Sequence, residues 1–415
     1  MKSVFPLKIF ISIFALQFGL LFAGDGNGSD IHWGFLVMGL FGGLSLFLYG
    51  MDKMSDGLKK VAGNQMRNIL ATLTQNRVIA LIVGAFVTMV IQSSSATTVM
   101  LVSFVQAQLM TYAQSIGIIL GANIGTTVTA QLIAFKLTDY ALLMITAGFV
   151  MTLFGKKDSI KHTGEVLLGF GILFFGMKLM SDSMKPLRTF EPFIGLMRGL
   201  ENPFYGILIG AGFTALIQSS SAFTGIVIVL AQQGLLTLDA GIPLILGANI
   251  GTCITAALAS IGTIREAKRV ALAHILINTS GVLLFIWFIP DLSAIVKSLS
   301  SSSGLTGLDK LAAETPRQIA NAHTIFNVGV GLIFLPFTKV LEKLVYRFLP
   351  KIKKTKGIEP TIWHLDDSQI GHPAVAIELA RTEMLRMIKI LTRMVSASIV
   401  PFSINGTNED EVYTE

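Results

Sequence analysis

Apolar stretches separated by short basic turns run through the 415 residues. Several approach the ~20 consecutive apolar positions that a helix needs to cross a bilayer. The pattern predicts spans near 33–52, 113–135, 140–154, 241–261, 270–289 and 319–346. Two further apolar runs, 78–108 and 204–232, are each broken in the middle by the same polar phrase, Gln92-Ser93-Ser94-Ser95-Ala96 and Gln218-Ser219-Ser220-Ser221-Ala222. A second phrase follows each break, Gly121-Ala122-Asn123-Ile124-Gly125-Thr126 and Gly247-Ala248-Asn249-Ile250-Gly251-Thr252. A constant spacing of 126 residues relates both pairs, and it also carries Met54-Ser55-Asp56 onto Met180-Ser181-Asp182. A register kept without slippage means one structural unit used twice.

Basic residues orient the spans. Lys53, Lys59, Lys60, Arg67 and Arg77 follow the first span, Lys156, Lys157 and Lys161 the 140–154 span, and Arg265, Lys268 and Arg269 the 241–261 span. All of these turns fall on the cytoplasmic side only if each broken run enters and leaves on one face. An odd number of spans then separates the copies and turns the second upside down. The expected fold is therefore an all-α polytopic membrane protein with two inverted repeats, 33–154 and 163–289, each holding a re-entrant helical hairpin and a broken or unwound transmembrane helix. A last span, 319–346, leads to a cytoplasmic tail, 347–415, whose Lys351–Lys356 run suits lipid headgroups. Residues 1–24 read as a signal peptide or N-terminal anchor.

Composition supports a membrane location, at 52% hydrophobic and 14% charged residues with a mean hydropathy of +0.68. The net charge of +7 sits in the turns, so it reads as a topology signal and not as a nucleic-acid surface. The lone cysteine, Cys253, excludes an internal disulfide framework and reads as a small side chain where the first copy has Thr127.

A backbone that leaves helical geometry inside a membrane is tolerated only where it is buried in protein or lines a wet cavity. Serine is a good N-cap, so each triplet predicts a hairpin tip from which a second half-helix starts. Such a helix start offers free N–H groups and about half a positive charge, a seat for an oxyanion, and two seats entering from opposite faces could meet near the midplane. The paired glycines of the second phrase would allow unwinding. Freed carbonyls, the Asn123 and Asn249 amides and the hydroxyls of Thr126, Thr127 and Thr252, with Thr98 and Thr224 beyond the breaks, then offer oxygens to sodium. No Asp, Glu, Lys, Arg or His lies in 78–135, 202–238 or 240–264. A buried anion there would need co-bound cations to offset its charge, and proton coupling lacks its usual groups. The anatomy predicts sodium–anion symport.

The paired Gln-Ser-Ser-Ser motifs, each followed by Gly-Ala-Asn-Ile-Gly-Thr, resemble the type II sodium–phosphate cotransporter family in a bacterial member, over about 33–346. The resemblance implies sodium-coupled import of inorganic phosphate across the inner membrane, with Gln92, Ser93, Ser94, Ser95, Gln218, Ser219, Ser220 and Ser221 holding phosphate. It implies no enzyme activity, no cofactor and no metal beyond sodium. In the tail, Ile377, Ala380, Met384, Met387, Ile388, Leu391, Met394 and Val395 fall on one helical face. That segment is similar to the start of the phosphate-uptake regulator PhoU, which implies a cytoplasmic regulatory partner or a homo-oligomer that covers it.

Other readings compete. The triplets could be packing glue between helices, a role that two copies in register make less apt. A serine nucleophile would need a base that these segments lack. His274 and His323 read as structural hydrogen-bonding groups, and Asp56 and Asp182 as caps or ion-pair partners. Asn27-Gly28-Ser29 and Asn405-Gly406-Thr407 match glycosylation acceptors by chance. The alternative functions are transport of another oxyanion, or an anion sensor signalling through the cytoplasmic helix, which deletion of 366–415 would silence.

Overall fold

The structure, a computed structural model, describes residues 31–62, 76–135, 137–350, 364–365 and 373–403. The signal segment, Arg67, the Lys351–Lys356 run and both glycosylation-like sites lie outside the described residues. Among those described, regular structure is entirely helical. The helices are α1 (Trp33–Ala62), α2 (Arg77–Ile91), α3 (Ser94–Gln106), α4 (Tyr112–Ile133), α5 (Ala141–Phe154) and α6 (Asp158–Ser183). They continue with α7 (Glu191–Gly199), α8 (Pro203–Ile217), α9 (Ser220–Gln232), α10 (Leu238–Gly251) and α11 (Cys253–Ala259). Then come α12 (Arg265–Phe285), α13 (Ile289–Leu299), α14 (Gly307–Phe334), α15 (Thr338–Phe348) and α16 (Pro373–Ser403).

The duplication is kept to the residue. Helices α2 and α3 map onto α8 and α9 with identical bounds at the 126-residue spacing, and α4 maps onto α10 plus α11. The packing repeats too. A β-carbon added at Gly125 would lie 2.8 Å from Thr88 Cβ, and one at Gly251 2.7 Å from Thr214 Cβ. The equivalent helices α1 and α6 pack antiparallel: a β-carbon at Gly43 would lie 2.7 Å from the Gly176 oxygen, and one at Gly50 2.7 Å from the Gly169 oxygen. Because Gly43 corresponds to Gly169 and Gly50 to Gly176, the two contacts are one contact seen twice, the mark of a local two-fold axis.

Among the described residues, five helices are long and apolar enough to cross a membrane, or up to seven if two bent pairs each count as one span. Large apolar side chains face outward, including Phe35, Leu142, Phe204, Leu216 and Trp287. This protein is a multi-pass membrane protein. The stretch expected as one span at 319–346 is divided: α14 ends at Phe334 and α15 departs at 83°, where Pro336 cannot continue the backbone ladder. Residues beyond 351 form a separate unit. In it α16 is helical as expected, with Ile377, Met384, Met387, Ile388, Leu391, Met394 and Val395 exposed, and Glu383 pairs with Arg386.

Candidate functional site

Each polar phrase makes a two-residue helical link. Helix α2 ends at Ile91, and Gln92 takes a left-handed conformation (φ 60°) while its N–H donates to the Thr88 carbonyl at 2.7 Å. Ser93 is extended and caps α3, its hydroxyl accepting from the Ala96 N–H at 3.1 Å. The second copy repeats every feature, with Gln218 at φ 59°, its N–H on the Thr214 carbonyl at 2.7 Å, and Ser219 accepting from Ala222 N–H at 3.2 Å. The predicted serine caps are thus Ser93 and Ser219, while Ser94, Ser95, Ser220 and Ser221 occupy the first turns of α3 and α9.

The glutamines carry information that sequence patterning missed. Left-handed backbone costs a side-chain-bearing residue about 1 kcal/mol or more, and glycine would be the easy choice. Among the described residues only Gln92, Gln108 and Gln218 depart from that rule. Two of the three stand at the tips, where a side-chain role can offset the local preference. Gln92 shows such a role: it is buried, its Oε1 accepts from the Thr129 hydroxyl at 2.7 Å, and its Nε2 donates to the Met89 carbonyl.

Ser94, Ser95, Ser220 and Ser221 are buried, and none of their hydroxyls has a hydrogen-bond partner among the described residues. The N–H groups that open α3 and α9 have no intrahelical acceptor either. Each tip therefore presents unsatisfied donors at the positive end of a helix dipole, in surroundings free of ionisable side chains over 78–135 and 202–238. Such a site suits a tetrahedral oxyanion. The serine triplets are not hydrogen-bonded to each other among the described residues. They are related through packing, with α9 on α4 and α3 on α11 and α12.

The second phrase differs from expectation. Helix α4 runs unbroken through Gly121, Asn123 and Gly125, and α10 passes into α11 with only Thr252 between them, itself right-handed helical. The glycines serve close approach instead: a β-carbon at Gly121 would lie 2.7 Å from the Ala85 nitrogen, and one at Gly247 2.8 Å from the Ala211 nitrogen. No carbonyls are freed by unwinding here. The hydroxyls of Thr126, Thr127, Thr252 and Thr98 donate to Ala122, Ile124, Ala248 and Ser94 carbonyls at 2.7–3.0 Å. Each of these oxygens keeps lone pairs with which to accept, and the buried Thr224 hydroxyl has no partner among the described residues.

Asn249 donates to the Ile245 carbonyl at 3.0 Å. Asn123 instead reaches across to Asn278 of α12, with Nδ2 on Oδ1 at 2.8 Å, and Asn278 Nδ2 contacts Cys253 Sγ at 3.4 Å. Asn278 was not singled out from the sequence, although a lone amide in an apolar span is a signal for it. Cys253 is buried and small in role, as expected. His274 and His323 are buried, but the ring nitrogens of His274 and Nδ1 of His323 lack partners among the described residues, against the expected hydrogen bonding. Asp56 and Asp182 pair with Lys59 and Lys185.

Similarity extends to YqeW of Bacillus subtilis (strain 168), 31% identical over 73% of this chain and 95% of the relative. YjbB of Escherichia coli (strain K12), named for inorganic phosphate export, is 26% identical over 86% of this chain, which spans 64% of that relative's length. Sodium-dependent phosphate transport protein 2B of Mus musculus is 34% identical over 36% of this chain and 21% of its own. No solved structure matches. The family described as Na+/Pi-cotransporter matches residues 46–182 and 191–309, covering both Gln-Ser-Ser-Ser phrases, and the chain belongs to that family.

Proposed function

We propose that this protein is a secondary transporter that moves inorganic phosphate together with sodium across the bacterial inner membrane, its C-terminus cytoplasmic. The observation that carries this reading is the matched pair of tips, each with a left-handed glutamine and buried serines whose hydroxyls have no hydrogen-bond partner among the described residues. The names of the relatives support the substrate and the coupling ion. Phosphate is held by Gln92–Ser95 and Gln218–Ser221. Sodium is held by oxygens of Asn123, Thr126, Thr127, Asn249, Thr252, Thr98 and Thr224, without unwinding of α4.

The repeats, 33–154 and 163–289, are inverted in the membrane. The antiparallel crossing of the equivalent helices α1 and α6 supports this. Helices α2 and α3 have 15 and 13 residues. Each is about 20 Å long against a hydrocarbon core of ~30 Å, which supports re-entrant hairpins. The exposed face of α16 docks on a cytoplasmic partner or a second copy, as the PhoU-like resemblance implies.

Radiolabelled phosphate flux in proteoliposomes tests the proposal. Sodium-driven accumulation is expected, and reversing the sodium gradient separates import from export. Flux driven by protons alone would overturn the sodium assignment, and phosphate binding without flux would favour the sensor.

A further inference from the structure

Away from the hairpin tips, at the opposite end of α2, three helix starts converge. A cavity of about 150 Å³ is lined by Arg77 at the start of α2, Ala113 and Gln114 at the start of α4, and Thr338, Lys339 and Glu342 at the start of α15. Its volume equals roughly five water molecules' share of liquid, room for one tetrahedral phosphate group. Each helix start contributes unsatisfied N–H groups and a partial positive charge.

Independent features point to an anion. Thr338 is buried, and its hydroxyl has no hydrogen-bond partner among the described residues. Arg77 and Lys339 have no ion-pair partner among the described residues. Gln114 Oε1 is taken by the backbone and hydroxyl of Thr111 at 2.8 Å, which leaves its amide N–H groups to donate. Glu342 is the opposing charge.

The second repeat supplies an internal comparison. The contact between Ala80 and Gly117 recurs between Gly206 and Pro243, so the two helix-pair ends correspond. There Ala113 is replaced by Asp239, whose carboxylate accepts from Ser293 Oγ at 2.6 Å and Lys297 Nζ at 3.3 Å, and Arg77 is replaced by Pro203. The second copy carries its own anion at this register. The first has an alanine, a cavity and two unpaired cations.

The geometry points to a phosphate-group site between the starts of α2, α4 and α15, occupied by the headgroup of an anionic phospholipid. The lipid source follows from the neighbouring surface: Arg77 also lines an open groove with Val78, Leu335 and Pro336, a path for an acyl chain. Beside it α15 exposes Val340, Leu344 and Phe348 along one stripe and Lys343 and Arg347 along another, as an interfacial helix does.

The test uses the full chain in nanodiscs of phosphatidylcholine with or without phosphatidylglycerol, with lipid retention read by native mass spectrometry. The parent protein retains phosphatidylglycerol. The double variant Arg77→Gln/Lys339→Gln loses at least about tenfold of that retention, as expected for removing charge-assisted hydrogen bonds. Ala113→Asp gives the same loss with folding intact, since a carboxylate is favourable at a helix start, and it decides the matter if the double variant fails to fold. Equal retention in the parent and Ala113→Asp overturns the site. Protection from thermal unfolding by inorganic phosphate in phosphatidylcholine alone, abolished by Ala113→Asp, overturns the lipid source in favour of the free ion.

Discussion

The two hairpins share a backbone and differ in what holds them. Around the first tip, Ser55 Oγ donates to the Ile91 carbonyl at 2.6 Å, Thr129 to Gln92 Oε1 at 2.7 Å, and the hydroxyls of Thr88 and Thr97 meet at 2.9 Å. Around the second, the counterparts Ser181, Thr255 and Thr214 are all present in sequence, yet none makes the corresponding bond. Ser181 accepts from Gln233, and the hydroxyls of Thr255 and Thr214 have no partner among the described residues. Gln92 is 4% exposed, whereas Gln218 is exposed. Two sequence differences accompany this: Thr97 is replaced by Phe223, and Gln233, which holds Ser181, stands where the first copy has Ala107. Sequence and conformation both enter the difference: the first tip is latched to its own repeat, and the second makes none of the same bonds. On the proposed transport function, two arrangements of one unit are what alternating access would exchange.

The largest expected effect falls where the hairpins agree. Ser94→Ala combined with Ser220→Ala removes an unpartnered hydroxyl from each tip. Hydrogen bonds to a charged ligand contribute about 1.5–3 kcal/mol, so phosphate flux per membrane-inserted protein should fall by about tenfold to a hundredfold. Normal flux would sink the phosphate assignment while leaving the fold untouched.

The next effect breaks the symmetry. With Cys253 the only cysteine and buried, Gln218→Cys should react with a soluble maleimide at least about tenfold faster than Gln92→Cys, as expected for an exposed against a buried thiol. Saturating phosphate and sodium should narrow the ratio. Equal rates in the absence of ligand would mean that both hairpins interconvert freely and that the latched state has no special standing.

Much of this was legible in the chain. The 126-residue register located α2, α3, α8 and α9, and the serine caps followed from their chemistry. The glycines of the second phrase misled because a glycine that permits unwinding and one that admits a neighbouring backbone look alike in sequence; Ala85 and Ala211, which decide the case, lie 36 residues upstream of Gly121 and Gly247. Asn278 escaped because it breaks the repeat, its counterpart being Thr152. The asymmetry between the tips was readable only in part: Phe223 for Thr97 and Gln233 for Ala107 mark it, whereas the same residues at Ser55/Ser181 and Thr129/Thr255 do not say which copy is latched.

The smallest effect is the most pointed test of that asymmetry. Thr129→Val removes the donor to a buried Gln92 Oε1 and leaves that acceptor unsatisfied, which costs about 1–3 kcal/mol. Thr255→Val, at the equivalent position, replaces a buried hydroxyl that has no partner with a methyl of similar shape. That change should be neutral or slightly stabilising, because the hydroxyl's desolvation is no longer incurred. Thermal unfolding of the two variants in detergent, without phosphate or sodium, should therefore move the midpoint down for Thr129→Val and not for Thr255→Val. If both fall equally, Thr255 finds Gln218 much of the time and the second hairpin is latched too. If only Thr255→Val falls, the latched and released copies are exchanged in solution.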